Sequence, residues 1–165
     1  SCRALKLDEA KRYILFANNP AIAVKRFDVA EKAFEIVRRH VPDADLLTVW
    51  DRPHETMPLY MNAADVLILT SQHEGSPNVV KESMACNLPI VAVDVGDVRE
   101  VIGGGRHCHI ARRDETDIAE KVIKVLSQHQ RSDGRSRIQH LSLKSVSKRV
   151  LGVYKLALDS KSGSN

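Results

Sequence analysis

Five short apolar runs leave this chain few ways to fold: YILFA (13–17), DLLTVW (45–50), DVLILT (65–70), PIVAVD (89–94) and HCHIAR (107–112). Each is nearly continuous rather than alternating with polar residues, the pattern of strands covered on both faces in a parallel sheet. Helical patterns lie between them. KRFDVAEKAFEIVRRHV sets Phe27, Ala30, Phe34, Val37 and Val41 at spacings of 3, 4, 3 and 4, one stripe of a helix. SPNVVKESMACN, TDIAEKVIKVLSQH and SLKSVSKRVLGVYKLALDS follow as further helices. This alternation predicts right-handed βαβ units and an α/β fold, a doubly wound, mostly parallel, Rossmann-like sheet with helices on both faces. Such sheets bind ligands beyond the carboxyl ends of their strands, which directs attention to loops 18–25, 51–56, 71–78, 94–98 and 112–116.

With 165 residues the chain makes one domain with a sizeable core, read here as 1–160, followed by a disordered Ser/Gly tail at 161–165. No apolar run approaches the roughly 20 residues that span a bilayer. Three cysteines without paired spacing fit a reduced, cytoplasmic compartment. Between residues 131 and 161, eight Lys/Arg stand against two Asp. The plain reading is a solvated helical face; the sharper one is contact with an anionic membrane, which would place the protein at its inner face. Nucleic acid is not expected as a partner, because the stretch holds one aromatic, Tyr154, and no recognition motif.

The segment EGSPNVVKE (74–82) follows the third strand and opens a helix. Pro77 suits the first helical position, where its missing N–H costs nothing, and that puts Ser76 at the N-cap. Gly75 lets the chain turn and lets a ligand approach the backbone. The N–H groups of Ser76, Asn78 and Val79, with the helix dipole, form an anion site at a strand end. Glu82 lies five steps beyond Pro77, roughly 7–8 Å at helical rise. Glu74 and Glu82 therefore flank the anion site rather than face each other across one bond. The bland alternative is a capping cluster beside a surface charge.

Glu74 and Glu82 in this spacing, within DVLILTSQHEGSPNVVKESMACNLPIVAVDVGD, resemble the donor-binding half of the GT-B glycosyltransferases, nearest to the retaining family 4, or group 1. YILFA with KRFDVAEKAFEIV, MPLYMNAADVLILTS and SVSKRVLGVYKLAL extend the resemblance over about residues 12–158. It implies transfer of a hexose from a nucleotide-diphosphate sugar to an acceptor such as a glycan or lipid-linked sugar. Glu74 would read the donor sugar, Glu82 the ribose, and the amides between them the diphosphate. Glu74 and Lys25 are then the catalytic candidates, and Lys25, Arg26, Gly75, Ser76, Asn78, Val79 and Glu82 hold the nucleotide-sugar. No metal or other cofactor is implied. The family's arginine, five residues before its lysine, falls here on Pro20, and Arg26 stands as its substitute. The chain opens without Met, and an N-terminal acceptor domain is expected before residue 1 as a partner. The isolated domain is then expected to bind nucleotide weakly without turnover.

Other residues carry weaker readings. Asp51 and Arg52 would border the base, His73 the sugar pocket, and Gly96 with Asp97 would form a turn and helix cap at the cleft rim. His107 and His109 share a strand face without carboxylate partners, a poor metal pair. IGGGRHCH lacks the strand–turn–helix context of a dinucleotide fingerprint. The final helix carries an apolar stripe, Val146, Val150, Val153 and Ala157, expected to be partly exposed. Two other functions stay open: a non-catalytic nucleotide-sugar-binding module, and a nucleotide-sugar epimerase or phosphorylase of the same fold.

Overall fold

A computed structural model describes the backbone of residues 1–162 and the side chains through residue 158. Five strands, β1 (Arg12–Phe16), β2 (Ala44–Thr48), β3 (Val66–Leu69), β4 (Ile90–Val93) and β5 (Cys108–Ala111), form one sheet in the order β2-β1-β3-β4-β5. Every pairing is parallel, with Leu15 opposite Leu47 and Leu67, and Val91 opposite Ile68 and His109. All five lie within two residues of the runs that predicted them. β3 and β4 are buried at every position, as strands covered on both faces must be.

The helices are α1 (Cys2–Leu5), α2 (Phe27–His40), α3 (Met57–Ala63), α4 (Asn78–Ala85), α5 (Val98–Ile102), α6 (Glu115–Gln128), α7 (Gly134–Arg137) and α8 (Leu143–Ser162). α2 and α6 pack side by side, as do α4 and α5. The stripe predicted on α2 does face the core, but Val29 and Ala33 widen it. Arg131 fixes the rear of the layer holding α3 and α4. Its guanidinium donates to the carbonyls of Met61 at 3.0 Å, Ala64 at 2.6 Å and Cys86 at 2.9 Å, acceptors left without helical partners where those helices end. Gly134 allows α7 to lie against α4, since a Cβ there would fall 2.7 Å from Met84.

α8 touches the body mainly through the 3-10 turn Gln139–Leu141. Of its expected stripe, Val150 and Val153 are exposed and Val146 is half-buried; Leu143, Leu151, Tyr154 and Leu156 are exposed as well. Among the described residues no helix is long and apolar enough to cross a membrane. Helical hydrogen bonding carries α8 through Ser162, two residues into the tail expected at 161–165. Residues 163–165 lie outside the described residues.

Asp117 anchors the loop after β5. Its Oδ2 accepts from Lys121 Nζ at 2.6 Å and from the Arg112 N–H at 2.8 Å, and Arg112 Nη2 stands 3.3 Å from Oδ1. The hydrogen bond from Lys121, then that from Arg112, hold its carboxyl below the usual carboxylate range. A lowered folded-state value means that this stabilisation is complete above the unfolded value and is lost as pH falls through the folded one. Asp117→Asn is expected to cost about 1–3 kcal/mol at neutral pH. Urea unfolding at several pH values should show the gap to wild type constant above about pH 5 and closing below about pH 4.

Candidate active site at the carboxyl edge

The loops after β1, β3 and β4 converge at the carboxyl edge of the sheet. After β1 the chain makes a 3-10 turn, Ala23–Lys25, before entering α2. Thr70, just past β3, pins that turn: its hydroxyl donates to the carbonyls of Lys25 and Arg26, each at 2.9 Å. The Gln72 N–H adds a bond to the Val24 carbonyl at 2.8 Å. Lys25 is thereby set against the loop that carries Glu74. Its Nζ donates to Glu74 Oε1 at 2.6 Å, and the two side chains are 22% and 15% exposed. A charge-assisted bond this short and this sheltered holds both groups in one place. The structure thus brings together the two residues that the sequence paired as catalytic candidates. Oε2 of Glu74 makes no hydrogen bond within the described residues and remains available to a ligand.

The start of α4 differs from the sequence reading. Pro77 is the N-cap, in extended backbone at φ −67° and ψ 117°, and the helix begins at Asn78. Ser76 therefore precedes the cap, and no side chain caps the helix. The reason lies across the loop: Ser76 Oγ donates to Asp97 Oδ2 and accepts from Lys81 Nζ. With the hydroxyl so engaged, the N–H groups of Ser76, Asn78 and Val79 stay without acceptors among the described residues. Pro77 has no N–H to offer, and Val80 already donates to the Pro77 carbonyl at 3.2 Å. These unpaired backbone donors stand at the positive end of α4, where the sequence predicts an anion.

The glycine under constraint is Gly96 rather than Gly75. A Cβ added at Gly75 would meet nothing within 4 Å, so that backbone is open to approach. Gly96 has φ +53°, and a Cβ there would lie 2.0 Å from the Gly75 carbonyl oxygen. The Asp97 N–H then donates to that same oxygen at 3.1 Å. The loop after β4 is in this way pressed against the loop that carries Glu74.

Glu82 reaches the edge from within α4. His54 Nε2 is 3.7 Å from its Oε1, and a cavity of about 210 Å³ between α3 and α4 includes His54, Met57, Met61 and Glu82 in its wall. Asp51 and Arg52, expected to border the base, lie on the loop just before His54. Both are exposed, and the residue that reaches Glu82 is His54, two further along, where a short 3-10 turn, His54–Thr56, redirects the chain. Arg26 does not join the group. It adopts φ 51° at the start of α2, and its guanidinium forks onto the Asp28 carboxylate with two bonds of 2.9 Å. A cation that the sequence did not single out approaches instead from the loop after β5: Arg113 Nη2 donates to the Gln72 carbonyl at 2.7 Å.

His73 is exposed beside Glu74. His107 turns to the side chains of Gln128 and Gln130, while burial and nearby Lys124 and Lys121 push His109 down from its ordinary value. The two histidines have no carboxylate between them, and among the described residues no group of three His, Cys, Asp or Glu could hold a metal. Asp97 stands at the rim as expected but does not cap α5 through its side chain. Gly96→Ala is expected to cost about 2–4 kcal/mol in urea unfolding, from left-handed backbone strain together with the clash on Gly75. Gly75→Ala, with open space around it, should stay within about 0.5 kcal/mol of wild type.

Residues 31–128 match the sequence profile described as "Glycosyl transferases group 1", which covers more than half of the chain. A Bacillus subtilis (strain 168) protein provisionally named as the teichuronic acid biosynthesis glycosyltransferase TuaC is 33% identical over 72 residues. That match takes in 44% of this chain and 18% of TuaC. Among solved structures, sucrose-phosphate synthase from Thermosynechococcus elongatus superposes with a TM-score of 0.78 at 17% identity, over 96% of this chain and 48% of that one. TarM of S. aureus, solved with Fondaparinux, alpha-GlcNAc-glycerol and UDP, superposes at 0.71 and 16% identity, over 90% of this chain and 36% of that one. The chain therefore spans less than half the length of these proteins, and at such identities the two superpositions establish the fold. A five-stranded parallel sheet of the GT-B kind and a matching profile lead to one assignment: the chain belongs to the group 1 glycosyl transferases.

Proposed function

We propose that this chain is the donor-binding domain of a retaining glycosyltransferase that moves a hexose from a nucleotide-diphosphate sugar to an acceptor such as a glycan or lipid-linked sugar. The observation that carries the reading is the grouping at one sheet edge of the Lys25–Glu74 pair, the open N–H groups of Asn78 and Val79, and Glu82. In this reading the diphosphate lies on the start of α4, where unpaired N–H groups and the helix dipole favour negative charge. Lys25 stands beside it. Its fixed positive charge stabilises the departing diphosphate as charge builds there. Glu74, oriented by Lys25, accepts from hydroxyls of the donor sugar through its free oxygen. Glu82 accepts from the ribose, with His54 alongside. These backbone and lysine donors provide the leaving-group stabilisation without a metal ion.

The acceptor lies outside this chain's site in the same reading. A second, N-terminal domain supplies its binding surface, and closure of the two domains brings the reactants into line. The domain alone then binds donor nucleotide weakly and does not turn over. A second reading, nucleotide-sugar binding without transfer, is favoured by one specific observation: Pro20 occupies the place expected for an arginine, and Arg26 is committed to Asp28. Activity of the protein extended by its N-terminal domain toward a nucleotide-sugar separates the two.

Calorimetric titration with UDP, GDP and ADP tests the donor site directly. At least one should bind, and Glu82→Ala should weaken that nucleotide by about 1.5–3 kcal/mol through loss of a charge-assisted hydrogen bond. If the variant binds every nucleotide as tightly as wild type, Glu82 is not the ribose residue.

A further inference from the structure

Asp97 occupies the N-cap position of α5, where an aspartate ordinarily accepts a bond from the first turn of its own helix. Here it makes no such bond. Its Oδ2 instead accepts from Ser76 Oγ across the gap between two loops, and its own N–H donates to the Gly75 carbonyl at 3.1 Å. Lys81, in the first turns of α4, points back toward the start of its helix, as helical side chains do. Its Nζ donates to Ser76 Oγ and stands 3.9 Å from Asp97 Oδ2. The Lys81 and Asp97 side chains are 27% and 33% exposed, and Asp97 Oδ1 is buried without a partner. Gly96 makes this contact possible, because any side chain there would strike Gly75.

A carboxylate at this place needs a reason. It stands beside the open N–H groups of α4, where an incoming anion would be repelled by it. A serine preceding a proline N-cap needs no such partner for the helix to form. The network does two things that the helix alone does not: it ties residues 75 and 76 to a rigid neighbouring loop, and it places a lysine against the carboxylate. We propose that Asp97 is a positioning residue for the loop between β3 and α4, with Lys81 as its counter-ion. Asp97 holds Gly75 and Ser76 so that the first N–H groups of α4 face a diphosphate, and Lys81 cancels the charge that would otherwise oppose that ligand. For its ligand this inference rests on the donor-site reading above, while its positioning half is measurable in the empty protein.

The test combines amide hydrogen exchange of the ligand-free chain with titrations of UDP, GDP and ADP and the matching monophosphates. Asp97→Ala should speed exchange at least tenfold at the two hydrogen-bonded amides of this network, that of residue 97, which donates to the Gly75 carbonyl, and that of Val80, which donates to the Pro77 carbonyl, and should weaken diphosphate binding at least tenfold. Asp97→Asn keeps an acceptor for Ser76 and should stay within threefold of wild type in both. Lys81→Met should weaken diphosphates more than tenfold and monophosphates less than threefold. The double variant Lys81→Met/Asp97→Asn should return diphosphate binding to within threefold of wild type, which a merely structural lysine would not do. If Asp97→Ala does not fold, Ser76→Ala removes the same bond from the other side, with the same exchange result expected. Unchanged exchange in these variants overturns the positioning role. A double variant that binds diphosphate no better than Lys81→Met overturns the counter-ion role. If wild type binds none of the three diphosphates, the donor-site reading fails and the counter-ion role falls with it, while the exchange result still decides the positioning role.

Discussion

Parallel pairing of strands buried on both faces is the constraint on which the rest of this structure depends. A parallel pair cannot be closed by a tight turn, so each connection must cross back over the sheet, here mostly as a helix. Right-handed crossovers then cover both faces and bring the loops that leave the strands to one edge. Lys25, Glu74, Gly96 and Arg113 lie far apart in sequence, yet each follows the carboxyl end of a strand. The site is a consequence of the topology before it is a consequence of any one residue. Arg131 and Gly134 serve it from behind, by fixing where α4 ends and how closely α7 packs on it.

At that edge the charges are arranged in compensated pairs. Lys25 meets Glu74, Lys81 meets Asp97 and Arg26 meets Asp28. The uncompensated donors are backbone N–H groups at the start of α4. Glu74 and Asp97, the carboxylates on either side of the start of α4, thus each carry a lysine that fixes their direction and limits their repulsion of an anion. An oriented set of dipoles needs little rearrangement when a charged ligand arrives, which is the property the proposed donor site would use.

Much of this could be read in the sequence because burial leaves a pattern. The five strands stand out because continuous apolar runs have few other uses, and α2 stands out by its 3–4 spacing. Lys25, Glu74 and Glu82 could be singled out through their resemblance to a known family, and the structure pairs the first two. What escaped was set by contacts between residues distant in sequence. The N-cap moved from Ser76 to Pro77 because Asp97, 21 positions away, takes the Ser76 hydroxyl. The sequence offered Arg26 as a substitute for the missing arginine, but could not show that its guanidinium forks onto the neighbouring Asp28. Local propensity could not foresee that His54 would reach Glu82, since the contact joins a loop after β2 to the middle of α4. A turn at Gly96 could be read from the sequence, but the contact that forbids any side chain there could not, because it arises from the Gly75 carbonyl on another loop.

The central claim is that the start of α4 receives a nucleotide's diphosphate. Backbone amide NMR of the isotope-labelled chain during titration with UDP, GDP and ADP tests it most directly. The account predicts that the largest shifts, for whichever nucleotide binds, fall on the amides of Gly75, Ser76, Asn78 and Val79, with smaller ones at Lys25 and around Glu82. Saturable shifts confined to other surfaces, such as α8 or the loop of residues 103–107, would contradict it, as would no shift with any of the three.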